Sequence, residues 1–175
     1  MQIRELSYQA STEILKRAGL GRLACALNGQ PYVTPTFLAF ESNFLYGFSS
    51  IGRKIAWMRE NPLVCVEFEE LLSPQNWATV IIEGNYQELP KTPEFEDARG
   101  HAHGLLQRRP VWWEPAYVKT TLQGNSRPIE PVYFRILIEK ISGHCGLPDG
   151  SPEPPIGWMQ KLFGAGKHEP LTGDV

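Results

Sequence analysis

The segment Tyr46-Gly-Phe-Ser-Ser-Ile-Gly-Arg-Lys54 concentrates the residue types that grip an anion. An apolar run gives way to two hydroxyls, Ser49 and Ser50, then to a glycine, then to Arg53 and Lys54 at the start of a predicted helix. Hydroxyls, free N–H groups of a helix start, a planar guanidinium fork and a compact ammonium together suit a phosphate. Cations in a first helical turn oppose the helix dipole, and a bound anion accounts for them. The same residues also read as a plain helix start with solvated basic side chains. One hairpin upstream stands Pro31-Tyr-Val-Thr-Pro-Thr-Phe37. A proline inside a strand removes a ladder donor, so Pro35 marks an edge or a bulge. Backbone freed this way, with the hydroxyls of Thr34 and Thr36, offers hydrogen bonds to a ligand. It equally fits an edge strand carrying β-favouring threonines. Trp77, Trp112 and Trp113 are large rings near element ends, suited to stacking on a planar cofactor, to a dimer seam or to core packing.

Other patterns carry less. His101 and His103 are two apart on a predicted helix and face different ways, and no carboxylate pattern completes a metal site, so no metal is expected. His144-Cys145 is a lone pair. No Gly-x-Gly-x-x-Gly follows a strand, and no Gly-x-Ser-x-Gly elbow is present. The late Gly164-Ala-Gly-Lys167 has Lys161 where a phosphate loop needs its first glycine and His168 where it needs Ser or Thr.

The elements that must position these residues follow from periodicity and turn signals. A short helix opens the chain, capped by Ser7 or Ser11, with Ile14, Leu15 and Ala18 on its apolar face and Gly19 as its stop. Leu20 to Leu27 reads as a strand, and Asn28-Gly29 is a strong hairpin signal. Return strands run from Pro31 to Phe40 and, after Ser42-Asn43, from Phe44 to Phe48. A helix from Arg53 to Glu60 turns Ile55 and Met58 inward and ends at Asn61-Pro62. Strands follow at Leu63 to Phe68, Trp77 to Leu89 and Tyr133 to Ile141. Between the last two, Thr92 to Arg109 reads as a helix with Phe95, Ala98, Ala102, Leu105 and Leu106 on one side. The expected fold is mainly β (α+β): six antiparallel strands closing into a barrel, with peripheral helices.

Composition sets the bounds. The chain has 175 residues, fitting one domain, with 42% hydrophobic and 21% charged residues and a formal net charge of -2. That charge offers no overall basic field for nucleic acid. There is no apolar run of membrane-spanning length, and the N-terminus lacks the apolar core of a secretion signal, so a cytoplasmic location is expected. Cys25, Cys65 and Cys145 are odd in number and widely spaced, which argues for reduced thiols, with Cys25 and Cys65 as small buried residues. The expected division is a barrel over residues 1–145 and a Pro/Gly-rich tail over 146–175, extended or docked on a partner.

Taken in order, Gly21-Arg-Leu-Ala, Pro31-Tyr-Val-Thr-Pro, Leu45-Tyr-Gly-Phe-Ser-Ser-Ile-Gly-Arg-Lys-Ile, Met58-Arg-Glu-Asn-Pro-Leu-Val-Cys-Val and Trp77-Ala-Thr-Val-Ile-Ile-Glu-Gly84 resemble the pyridoxamine 5′-phosphate oxidase-like superfamily. The nearest branch is that of flavin-nucleotide-binding and nitroimidazole-resistance proteins, which Arg108-Arg-Pro-Val-Trp-Trp-Glu-Pro115 also resembles. The similarity spans about Arg4 to Gly143. It implies a split barrel that binds flavin mononucleotide (FMN) and forms a homodimer with the cofactor at the subunit seam. By the same resemblance, Tyr32, Val33, Thr34, Pro35, Thr36 and Phe37 would run beside the isoalloxazine ring. Phe48, Ser49, Ser50, Arg53 and Lys54 would cover the ribityl phosphate. Thr79 would reach the flavin, and Trp112 or Trp113 would come across from the other subunit. The family's oxidases proper end in an Arg- and His-bearing motif. Here Tyr133-Phe-Arg-Ile-Leu-Ile-Glu-Lys-Ile runs into Ser-Gly-His-Cys, which argues against vitamin B6 oxidation.

Three functions fit these residues. One is an FMN-dependent oxidoreductase with a small planar acceptor, a nitro compound or a quinone, in which the flavin carries the redox chemistry and no acid or base side chain stands out. A second is a non-catalytic module that stores or senses flavin or haem, with His101, His103 and His144 as axial candidates; a deazaflavin is a further cofactor alternative. A third is an interaction protein whose tail captures a partner.

Overall fold

A computed structural model describes residues 1–108 and 131–150, with the backbone of 121–122 and 125–126. In chain order the elements are β1 (Gln2–Glu5), α1 (Tyr8–Arg17), β2 (Leu20–Leu27), β3 (Gln30–Glu41), β4 (Phe44–Ser50), α2 (Arg53–Glu60), β5 (Leu63–Ser73) and β6 (Asn76–Leu89). A 3-10 turn (Pro93–Phe95) leads into α3 (Glu96–Gln107), and β7 (Thr121–Leu122), β8 (Asn125–Ser126) and β9 (Pro131–Leu147) follow. Seven strands form one antiparallel sheet in the order β1-β9-β4-β3-β2-β5-β6, and β6 also pairs with β9. Six of them therefore close into the expected split barrel.

Local chemistry explains the turns. Asn28 and Gly29 both take positive φ, +50° and +78°, as the tight β2–β3 hairpin requires. That turn sets the register Gly21↔Thr36, Leu23↔Thr34 and Cys25↔Tyr32. Ser7 caps α1 by accepting from the Ala10 N–H at 3.2 Å. Asn61 ends α2, and its side-chain amide donates to the Ala26 carbonyl at 2.9 Å.

The ring is uneven, and the unevenness matters. β3 and β4 pair only from Leu38↔Gly47 to Glu41↔Phe44. Beyond Gly47, β4 stays with β9 through Ser49↔Val132 and Ser50↔Pro131, while β3 stays with β2. The two strands part there, and α2 begins in the gap.

Alternation fills the interior. Leu23, Leu38, Leu45, Val66, Phe68, Val80, Ile82, Phe134 and Ile136 are buried in the ring, with Ile55 and Met58 of α2 and Ile14 and Leu15 of α1. A second apolar cluster lies between α3 and the sheet and holds Ala39, Tyr46, Phe48, Leu89, Ala102, Leu105 and Leu106. All three helices turn inward the faces expected of them.

The strand β1 is missing from the sequence-based expectation. Its four residues, Gln-Ile-Arg-Glu, carry no apolar alternation. It forms because β9 runs to Leu147, six residues past the expected end, and pairs Gln2↔Leu147 through Glu5↔His144. The tail beyond residue 150 lies outside the described residues. No helix among the described residues is long and apolar enough to cross a membrane.

Two glycines set opposite expectations for one substitution. A Cβ on Gly47 would meet the Phe134 ring at 2.2 Å, and that ring is fully buried. Gly100, inside α3, has nothing within 4 Å of such an atom. Gly47→Ala is expected to cost about 1–3 kcal/mol through overpacking. Gly100→Ala is expected to gain about 0.5–1 kcal/mol from helix propensity. Urea denaturation of both variants checks the two signs.

Candidate functional site

The gap between β3 and β4 gathers most of the residues singled out in the sequence. Thr36 and Ser49 are among the few buried polar side chains, at 3% and 6% exposure. Ser49 Oγ donates to the Ser50 carbonyl at 3.1 Å. The Thr34 and Thr36 hydroxyls are 3.3 Å apart. The Leu38 N–H donates to the Gly19 carbonyl on the β2 side. Strand alternation then turns the backbone of Phe37, Pro35 and Val33 to the opposite edge, the one β4 has left. Pro35 thus puts its missing N–H on that edge, as the sequence implies.

Helix α2 opens on Gly52, which gives it no side-chain cap, and its first turn holds no acid. Its leading N–H groups have no intrahelical acceptor. Two cations flank this end. The Arg53 guanidinium lies over the Tyr32 ring, 5.2 Å from its centroid, and Tyr32 meets Trp57 edge-on at 5.6 Å. Lys54 instead runs inward, and its Nζ donates to Thr36 Oγ1 at 3.1 Å. Among the described residues no carboxylate pairs with it. Burial pushes the Lys54 ammonium down to about 8, and the nearby Cys25 thiol opposes that shift weakly. Burial likewise raises Cys25.

The far end of α2 is anchored. Arg59 makes a two-pronged bond to Glu88 of β6, with both contacts at 2.8 Å, and the Tyr86 hydroxyl donates to the same carboxylate at 2.9 Å. The hydrogen bonds from Arg59 hold Glu88 below the usual carboxylate range, and burial raises the Tyr86 phenol. The α2 start is therefore fixed against the barrel from behind.

Tyr32, Thr34, Thr36, Arg53 and Lys54 thus meet at one corner, with Val33, Pro35 and Phe37 along the open β3 edge, while Ser49 is buried at the end of β4 that leads through Ser50 to α2. Phe48 does not face it: its ring packs on Tyr133 at 4.6 Å beneath α3. Thr79 stands on β6 opposite Glu69 and His144, with β2 and β5 between it and β3. A Cβ on Gly146 would meet the Trp77 indole at 2.4 Å, so Trp77 packs flat on the backbone there. Trp112 and Trp113 lie outside the described residues. His101 bonds Glu41, and His103 bonds the Tyr133 hydroxyl at 2.8 Å. All three cysteines are unbridged, with Cys25 and Cys145 buried and Cys65 half-buried. Among the described residues no cluster suits a metal ion.

Sequence reasoning missed the Lys54–Thr36 bond, the neighbouring Cys25 and the Arg59–Glu88 anchor. The Asn-Gly hairpin carried a signal for one of these, because its register fixes Cys25 opposite Tyr32. The inward course of Lys54 had none.

Comparison with known proteins completes the picture. A family model described as pyridoxamine 5′-phosphate oxidase matches residues 7–145, and the chain belongs to that family. An uncharacterized protein of Rhizobium meliloti (strain 1021) is 37% identical over 145 residues, covering 83% of this chain and 96% of the relative. A crystal structure of a FAD-binding protein from Mesorhizobium loti is 40% identical, covers 83% of this chain and 99% of that one, and superposes with a TM-score of 0.69. A FAD-binding protein from Mycobacterium smegmatis, 17% identical over 84% of this chain and 98% of that one, has a TM-score of 0.57 and shares the fold alone.

The Lys54 environment gives a direct expectation. Titration of the ligand-free protein followed by the 15N shift of the lysine Nζ groups will show one lysine with a midpoint near 8, lost in Lys54→Met. A folded-state value below the unfolded one means that the unfolded chain binds more protons above pH 8. Stability of the free protein therefore rises from about pH 8 toward the ordinary lysine value of 10.5, and Lys54→Met removes that rise.

Proposed function

We propose that this chain binds FMN as a homodimer and passes electrons to a small planar acceptor, a nitro compound or a quinone. The observation that carries this reading is the α2 start, an uncapped helix end with Arg53 beside it and a desolvated Lys54 ammonium that no carboxylate among the described residues balances. A phosphate dianion supplies the missing charge and accepts the free N–H groups. Ser49 and Ser50 add hydroxyls at the same corner. The open β3 edge from Val33 to Phe37 presents backbone groups to a flat heterocycle. The Mesorhizobium loti relative supports the class of cofactor, since FAD contains the same isoalloxazine, ribityl and phosphate portion as FMN.

When bound, the flavin supplies the redox chemistry. The protein's part is to grip the phosphate and orient the ring. The outward face of β3, β2 and β5 supports a dimer: Leu20, Val33, Leu63 and Leu71 are exposed by half or more around the Arg22–Glu67 and Arg22–Glu69 ion pairs. Thr79 belongs to the outward side of the same sheet, and a second copy placed there would bring it toward that copy's cofactor. Three unbridged thiols fit a cytoplasmic location.

The absorbance spectrum of freshly purified protein tests the cofactor. Flavin bands that bleach on reduction are expected, and a Soret band or a colourless protein contradicts the reading. Chromatography of the released cofactor decides between FMN, FAD and a deazaflavin. Arg53→Ala/Lys54→Ala is expected to abolish FMN binding in a fluorescence titration, and unchanged affinity refutes the assigned phosphate corner. Trp113→Ala is expected to weaken both dimerisation and cofactor retention, measured by sedimentation and flavin content.

A further inference from the structure

We propose that Thr36 is the positioning residue for the Lys54 ammonium and that cofactor loading is proton-linked through this pair. The proposal rests on the phosphate corner described above and adds to it a defined proton and a defined acceptor. Lysine has three donors and no acceptor. One donor is spent on Thr36 Oγ1 at 3.1 Å, a hydroxyl that is 3% exposed and touches Thr34 Oγ1 at 3.3 Å. The other two are left for the ligand, and Thr36 aims them.

The surroundings leave little else to set this charge. On β2 the facing titratable group is the Cys25 thiol, which burial pushes up and the Lys54 charge pulls down. On β3 Tyr32 lies beneath the Arg53 guanidinium, and Arg53 is the other cation of the α2 start. On β6 Tyr86 and Glu88 are tied to Arg59 at the opposite end of the helix. A neutral amine in this corner has no charge to offer a phosphate. Binding in alkali must first take up one proton, so affinity falls about tenfold per pH unit above the Lys54 midpoint. Phosphate protonation, with a second pKa of about 6, lowers affinity on the acid side. Retention is therefore greatest between these two limits.

Removing the acceptor takes away a hydrogen bond that is stronger to the ammonium than to the neutral amine. Thr36→Val is expected to move the alkaline limb of FMN binding down by about one to two pH units. Thr36→Ser restores it. The experiment is a set of FMN fluorescence titrations from pH 5.5 to 9.5 on wild type, Thr36→Val, Thr36→Ser and Lys54→Met, with riboflavin as the probe that lacks phosphate. The parallel 15Nζ titration of Lys54 is run on the free proteins. The expected result is an alkaline limb for FMN and none for riboflavin, shifted in Thr36→Val and absent in Lys54→Met. A uniform loss of affinity in Thr36→Val at every pH, with the Lys54 midpoint unmoved, gives Thr36 a merely structural part and overturns the proposal. A flat FMN profile in wild type overturns the proton linkage. Absence of FMN binding at pH 7 instead sinks the flavin reading and the linkage together, while the 15Nζ midpoints still decide whether Thr36 positions Lys54.

Discussion

A lysine ammonium held away from water, with a threonine hydroxyl to receive it, is the constraint on which this structure turns. Desolvation disfavours a charge, and among the described residues Lys54 meets that cost with one hydrogen bond and no carboxylate. Such an arrangement is poor for stability by itself. An anion at this corner would offset that cost, which is the basis of the proposed phosphate site. The surrounding features agree in sign. The helix end is uncapped, its first turn carries no acid, and the second cation lies on an aromatic ring of the adjacent strand.

The barrel exists to hold that corner open. β3 and β4 separate after Leu38↔Gly47, and each keeps its other neighbour, so the gap costs no ladder that either strand needs for its own placement. Gly47 stands at the point of parting with the Phe134 ring against its α-carbon. α2 enters the gap and is secured along its length and at its far end: Ile55 and Met58 are fully buried, and Arg59 and Asn61 bond β6 and β2. Because the helix cannot drift, the direction of Lys54 is decided by the fold.

Much of this was legible in the sequence. Apolar alternation and the Asn28-Gly29 turn place the β2–β3 hairpin with its register, and the Ser-Ser-x-Gly-Arg-Lys run leads into the candidate corner. β1 escaped because four mostly exposed residues carry no period and owe their form to the edge of β9. Phe48 was assigned to the site from its neighbours in sequence, but strand alternation turns it to the α3 side, opposite Ser49. The Lys54–Thr36 bond was out of reach because a lysine at a helix start is normally solvated. Its inward course depends on how deeply α2 sits, which is a property of the closed barrel.

Membership of the family fits this division between scaffold and site. The fold is shared with relatives of very low identity, so it determines little about chemistry by itself. The proposed chemistry rests on a dianion at one corner. The most direct test is a crystal of this protein soaked in FMN. The account predicts phosphate oxygens within about 3.2 Å of both Lys54 Nζ and the Arg53 guanidinium, with the Thr36 bond retained. A phosphate bound elsewhere, with the α2 start left as it is in the free chain, would contradict it.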